Sequence, residues 1–178
     1  MSVNGAEAGP ESAGPGAAGI TAAAPARLLE LSAVTLCAGR AGGDLLALAE
    51  PLSFWGGTDR KTGMIIDAHH PQHGTSLAGR VLMMAASRGS SSSSSVLAEQ
   101  IRAGVGPAAI LLTARDAIVA LGALAAAELY GTEVPVVLLD GADSGRLQVA
   151  AGLAHGTTVV VAAGADGRAV VVLLGPSN

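Results

Sequence analysis

A cation, a glycine and an unbroken run of serines, Ser87-Arg88-Gly89-Ser90 and on through Ser95, stand together in one short stretch of the chain. The stretch separates an apolar run, residues 81–86, from a segment with helical spacing, residues 96–103. An apolar run that ends in Gly and Ser and leads into a helix turns backbone N–H groups and the helix dipole toward an anion. With a guanidinium and several hydroxyls in the same turn, the chemistry on offer is anion binding and proton transfer. A run of serines is also what a flexible linker is made of. A linker joins domains, however, whereas this run sits between two core-forming segments at the spacing of a tight strand-to-helix turn.

The elements that must hold this turn are legible as patterns. Residues 28–36 and 44–49 read as two strands joined across Gly39-Arg40-Ala41-Gly42-Gly43, a hairpin-like turn. Residues 81–86, 108–112 and 134–139 read as strands, alternating with helices over 96–103 and 116–130, the second with Asp116 in its first turn and Gly131 as its stop. Residues 157–162 and 169–174 make a final β-ribbon around Gly164-Ala165-Asp166-Gly167. Strands alternating with helices imply a partly parallel sheet with right-handed crossovers, so the expected class is α/β with flanking β-ribbons. Residues 1–26, made mainly of Ala, Gly, Pro, Ser and Glu, are expected to be a disordered tail before one domain over 27–178.

A long polar loop, residues 53–76, carries Phe54, Trp55, Asp59, Asp67 and three histidines. Loops of this length inside a domain are functional or disordered, and two of the three aromatics in the chain favour function. His69, His70 and His73 invite a metal reading, but only Asp67 stands at a matching interval and no metal site is expected. His70-Pro71 reads instead as a rigid corner facing a partner, and His155, before Gly156, as part of a surface turn.

Composition removes several function classes. The net charge is −4 with ten basic residues, and the aromatics are one Trp, one Tyr and one Phe, so neither an electrostatic footprint nor a stacking platform for nucleic acid is present. The apolar stretch 159–174 is broken by Gly164, Asp166, Gly167 and Arg168, which argues against a bilayer span. Cys37 is the single cysteine, so this chain has no internal disulfide and too few thiolates for an iron-sulfur cluster or a thiolate zinc site; it reads as a small buried hydrophobe. The lack of a basic, apolar, cleavable leader points to the cytoplasm.

Three segments together resemble one family. Pro51-Leu52-Ser53-Phe54-Trp55-Gly56-Gly57-Thr58-Asp59, Thr62-Gly63-Met64-Ile65-Ile66-Asp67 with His70-Pro71, and Arg88-Gly89-Ser90-Ser91-Ser92 are similar to the swivel domain, or small subunit, of aconitase X enzymes. The resemblance extends over about residues 27–175 through Leu77-Ala78-Gly79-Arg80-Val81-Leu82, Ala108-Ala109-Ile110 and the helix from Leu121 to Gly131. It implies a swivelling β/β/α domain that closes over a larger chain, which carries the cysteines for an iron-sulfur cluster. The activity it implies is dehydration of a small hydroxy acid. Cis-3-hydroxy-L-proline is the favoured substrate and mevalonate 5-phosphate the alternative, since a phosphate would call for more cations than Arg60, Lys61, Arg80, Arg88 and Arg102 supply near the turn. A rival of another class is a non-catalytic binding or regulatory module on the same fold.

The resemblance places the catalytic serine at Ser90, with Arg88, Gly89, Ser91 and Ser92 as substrate-binding residues and Trp55, Asp59 and His70 at the site rim. In the wider superfamily an arginine stands two positions after the serine; here that position is Ser92, and the nearest cation is Arg88 on the other side of the turn. A one-residue change in the turn would exchange Ser90, Ser91 and Ser92. A hydroxyl is a poor base, and a helix N-terminus contributes roughly 0.3–2 kcal/mol, one or two pKa units at most. The charge of Arg88 and exclusion of water on closure are expected to supply the rest, so the isolated chain should be inactive.

Overall fold

The structure, a computed structural model, describes residues 24–176, so most of the tail expected over 1–26 lies outside the described residues. Eight strands and four helices follow in the order β1 (Arg27–Cys37), β2 (Gly39–Gly43), β3 (Leu45–Ala47), α1 (Phe54–Gly57), β4 (Val81–Met84), α2 (Ser92–Arg102), β5 (Ala109–Leu112), α3 (Ala117–Tyr130), β6 (Val136–Leu138), α4 (Gly141–Leu153), β7 (Thr158–Ala163) and β8 (Arg168–Leu174). The fold class is mixed α/β with a partly parallel sheet, as the alternation of patterns implies. No helix among the described residues is long and apolar enough to cross a membrane.

The strand order is β2-β7-β8-β1-β6-β5-β4-β3. Strands β2 and β3 stand at opposite ends of that order, yet only Asp44 separates them in the chain. A flat sheet of this width would part its edges by roughly 30 Å, while neighbouring Cα atoms are about 3.8 Å apart. The sheet therefore folds over on itself. Its antiparallel half, β2-β7-β8-β1, lies over its parallel half, β6-β5-β4-β3, and β1 serves both by pairing with β8 over residues 27–34 and with β6 over 34–37. Leu31, Val159, Val161, Val171 and Leu173 of the first half bury against Val81, Met83, Ala109, Leu111 and Val137 of the second.

The other face of the parallel half is covered by α2 and α3. Successive right-handed crossovers running in one direction, β4 to β5 to β6, put both helices on the same side. There Leu97, Ile101, Val119 and Ala123 pack on Leu82, Met84, Ile110 and Leu112. The layers are thus β/β/α. Asp116 caps α3, and Gly131 stops it at φ 66°.

Two expectations are corrected. Residues 39–43 are not a hairpin turn but strand β2, paired with β7 from Gly39↔Ala163 to Gly43↔Val159. The glycines there serve close packing: a Cβ on Gly43 would lie 2.3 Å from the Gly79 carbonyl oxygen. Strand β3 pairs in parallel with β4 and not with β1. The long polar loop after β3 is packed against the domain, with Leu52, Phe54, Ile65 and Leu77 fully buried in the helix-side core. At about 1.5–3 kcal/mol for each such side chain, this loop is a packed part of the domain. Helix α4 escapes sequence reading: it contains Gly141, Gly145 and Gly152, and Leu147 alone is buried.

Candidate active site

Strands β4, β5 and β6 run parallel, so the connections that follow them emerge at one end of the sheet, where open α/β sheets bind their ligands. The serine-rich turn follows β4 and is fastened from three sides. The Arg88 amide donates to the Leu52 carbonyl at 3.1 Å, which ties it to the long loop. The Ala114 amide donates to the Ala85 carbonyl at 2.9 Å, which ties it to the segment after β5. Asp116 does the most: one carboxylate oxygen accepts from the Ser87 amide at 2.6 Å and from the Ser87 hydroxyl at 2.5 Å. Its other oxygen accepts from Ile118 and Val119 at the start of α3. Burial pushes the Asp116 carboxyl up, but the hydrogen bonds from Ser87, Val119 and Ile118 outweigh it and hold the group below its ordinary range.

Gly89 lets the chain turn into α2. Its φ is 113°, and a Cβ there would meet the Ser53 hydroxyl oxygen at 2.8 Å, so only glycine fits between the turn and the loop. Helix α2 begins at Ser92, four residues before its apolar periodicity does, because the serine run supplies the first turn. The run divides by what each hydroxyl does. Ser93 is 1% exposed and accepts from the Trp55 amide at 3.3 Å. Ser94 and Ser95 donate to the carbonyls of Ser91 and Ser92 at 2.6 and 2.9 Å. Ser90, Ser91 and Ser92 are exposed, and Ser91, which occupies the cap position, makes no side-chain capping bond. A capping role for these hydroxyls therefore has no geometric support. Their place is the N-terminal mouth of an eleven-residue helix with no acidic residue in its first turn, where an anion is favoured.

Arg88 lies beside this mouth, half exposed, with Nη2 2.5 Å from Oδ2 of Asp67. Asp67 in turn accepts from the His69 amide at 3.0 Å. That N–H bond, with Arg88, keeps its carboxyl below the usual range against the opposing effect of burial. The sequence did not single out Asp67 as a site residue, since 21 positions separate it from Arg88. Its place in the Thr62–Asp67 motif was the available signal. The charge of Arg88 is consequently balanced in this conformation and does not act alone on Ser90.

The expected rim residues part company. Trp55 is 62% exposed and adjoins the serine turn through Ser93. It lines a cleft of about 310 Å³ with Gly56, Asp59, Arg60 and Ile66. Asp59 borders that cleft, but one of its carboxylate oxygens is occupied by its own turn, accepting from the Lys61 amide and from the Thr62 amide and hydroxyl at 2.8–2.9 Å. The Thr62 hydroxyl first, then the two amides, hold it below the ordinary carboxylate range. His70 is 3% exposed, buried within the loop of this chain. Its Nδ1 accepts from the Gln72 amide at 3.1 Å, which leaves Nε2 to donate to the Glu50 carbonyl at 3.2 Å. The ring braces the loop from within.

The model of the aconitase X swivel domain matches residues 30–171. The chain is 50% identical over 105 residues to a cis-3-hydroxy-L-proline dehydratase of Pseudomonas aeruginosa, covering 59% of this chain but 18% of that protein. It is 38% identical over 98 residues to a phosphomevalonate dehydratase small subunit of Methanothermobacter thermautotrophicus, covering 55% of this chain and 75% of the relative. Among solved structures, the holo-form of Thermococcus kodakaraensis aconitase X superposes with a TM-score of 0.64 at 30% identity, covering 80% of this chain and 98% of that one. The chain thus spans under a fifth of the length of the bacterial dehydratase and most of the length of the archaeal small subunit.

Proposed function

The chain belongs to the aconitase X swivel-domain family, whose relatives here are dehydratases and dehydratase subunits, and on that premise we propose that it is the small subunit of a dehydratase that removes water from cis-3-hydroxy-L-proline together with a larger chain. The observation that carries this reading is the sorting of the serine run: Ser93, Ser94 and Ser95 are spent on structure, and Ser90 is left open at the start of α2. In the proposed reaction Ser90, as its alkoxide, takes the proton from one carbon while hydroxide departs from the neighbouring carbon, that proton and hydroxide together being the water lost; Ser91, Ser92 and the turn amides orient the substrate while Arg88 binds its carboxylate.

The family implies an iron-sulfur cluster, and the residues of this chain do not fit one. Cys37 is buried and donates to the Ala120 carbonyl at 3.2 Å, and among the described residues no three His, Cys, Asp or Glu side chains gather where a metal could be held. We assign the cluster to the large chain.

Because Asp67 balances Arg88, the free chain has little beyond the helix dipole to favour a serine alkoxide, a shift of one or two pKa units at most. Exclusion of water by the large chain must supply the remainder. The test is to co-express the chain with a cysteine-rich large partner and measure loss of water from cis-3-hydroxy-L-proline. The complex should turn over, each chain alone should not, and Ser90→Ala should cost about 10²–10⁴-fold in kcat. Wild-type turnover in Ser90→Ala would remove Ser90 from the reaction. Mevalonate 5-phosphate is the second reading, favoured by the coverage of the archaeal small subunits, and belongs in the same assay.

A further inference from the structure

We propose that the outer face of the antiparallel half-sheet, β2-β7-β8-β1, is the surface through which two copies of this chain pair about a two-fold axis. An antiparallel strand with one wet face alternates apolar and polar residues, whereas β7 and β8 are almost continuously apolar, the pattern of strands covered on both sides. Their inward set, Val159, Val161, Val171 and Leu173, is buried against the parallel half. The outward set, Val160, Ala162, Val170, Val172 and Leu174, belongs to neither core. Val170 is 37% exposed, and Leu28, on the same face of β1, is 47% exposed. Among the described residues no helix closes over them: α2 and α3 pack on the parallel half from its other side, and α4 sends its one buried side chain, Leu147, between the two halves. A contiguous apolar face of this kind marks an interaction surface.

The register decides what fits it. Across the face Gly42, Val160, Val172 and Glu30 stand in one row, and Arg40, Ala162, Val170 and Ser32 in the next. A two-fold axis parallel to the strands, midway between β7 and β8, exchanges β7 with β8 and β2 with β1. It sets Val160 of one copy on Val172 of the other, and Ala162 on Val170, a small side chain against a larger one as in packed sheets. It also sets Arg40 over Ser32, two residues along β1 from Glu30, so that the guanidinium reaches the carboxylate of the other copy. Symmetry makes that contact twice. Arg40 has no ion pair among the described residues, and Glu30, though bonded to Arg27 of its own strand, is half exposed. Four strands about 4.8 Å apart and about seven residues deep span roughly 19 by 23 Å, so two copies withdraw on the order of 900 Å² from water, close to the ~1,000 Å² expected of a specific interface. The match of each row to its own image commits the face to a second copy. Docking there leaves the serine turn open, because that turn leads into α2 on the helix side of the domain.

The test uses the full-length chain alone and is therefore independent of the dehydratase reading. Sedimentation equilibrium over roughly 1–500 µM should show a reversible monomer–dimer equilibrium, as befits an interface near the lower size limit. Val172→Glu, which places a carboxylate at the centre of the face in both copies, should weaken the dimer at least about 100-fold. Since a charge on β8 can also lower stability, the second test exchanges charges at two exposed positions. Arg40→Glu should weaken the dimer about tenfold, and the double variant Arg40→Glu/Glu30→Arg should return it to within about threefold of wild type. A chain that stays monomeric over the whole range overturns the proposal, as does a dimer indifferent to Val172→Glu and to the charge exchange. If the face serves the large chain instead, the wild-type chain will be monomeric and Val172→Glu will abolish binding to the large chain alone, and that result overturns the proposal as well.

Discussion

A single carboxylate oxygen of Asp116 accepts both the amide and the hydroxyl of Ser87, while the other oxygen caps α3. The start of one helix and the turn that leads into another are thereby held by one buried side chain. The position of Ser90, three residues further on, depends on a group that belongs to a different crossover.

Asp116→Ala should remove a helix cap and leave the Ser87 amide without its partner, a loss of about 2–4 kcal/mol. Urea unfolding would read it. In the assembled complex the variant should also lose kcat, whereas Asp140→Ala, which removes the side-chain cap of α4, should cost stability alone.

The same carboxylate should shape the acid limb of stability. Its folded pKa is lowered, so its contribution is complete above the ordinary carboxyl range near pH ~4 and drains away as pH falls toward the folded value. Asp116→Asn should flatten the loss of stability in that interval when unfolding is followed between pH 7 and 2. An unchanged acid limb would show that the group is not perturbed.

Gly89→Ala should destabilise the turn by about 1–3 kcal/mol through its φ of 113°, with a further cost from contact with the Ser53 hydroxyl. Adding Ser53→Gly should recover the contact cost and leave the backbone strain. Full recovery in the double variant would mean that the steric term was the whole effect.

Gly122 of α3 lies against the first turn of α2: a Cβ there would come within 2.8 Å of the Ser94 carbonyl oxygen and 3.1 Å of Leu97. Gly122→Ala should therefore displace the serine turn, costing about 1–3 kcal/mol and lowering kcat in the complex. Glycine in a helix ordinarily costs stability relative to alanine, so a stabilised variant would show that the two helices are not in such close contact.

Within the serine run, Ser93→Ala should cost about 1 kcal/mol by removing the acceptor of the Trp55 amide, while Ser94→Ala and Ser95→Ala should stay within about 0.5 kcal/mol. Equal effects at all three positions would contradict the division of roles.

By itself the sequence determined the alternation of strands and helices, the C-terminal ribbon, the α3 boundaries and the stretch that carries the serine turn. These follow from local causes: apolar period, Asp116 as a cap, Gly131 as a stop and the Gly-Ser punctuation after β4. What it misread was local chemistry overruled at a distance. Residues 39–43 look like a turn because they are rich in glycine, and they form a strand because β7 and the Gly79 carbonyl approach too closely for side chains. His70 looks like a polar corner, and it is buried because two main-chain groups, those of Glu50 and Gln72, satisfy both ring nitrogens. The pairings of Asp67 with Arg88 and of Asp116 with Ser87 span 21 and 29 positions. Only the folding of the sheet, the crossovers and the packed loop brings those charges and hydroxyls within hydrogen-bond reach, because no period along a chain encodes a distance between its remote parts.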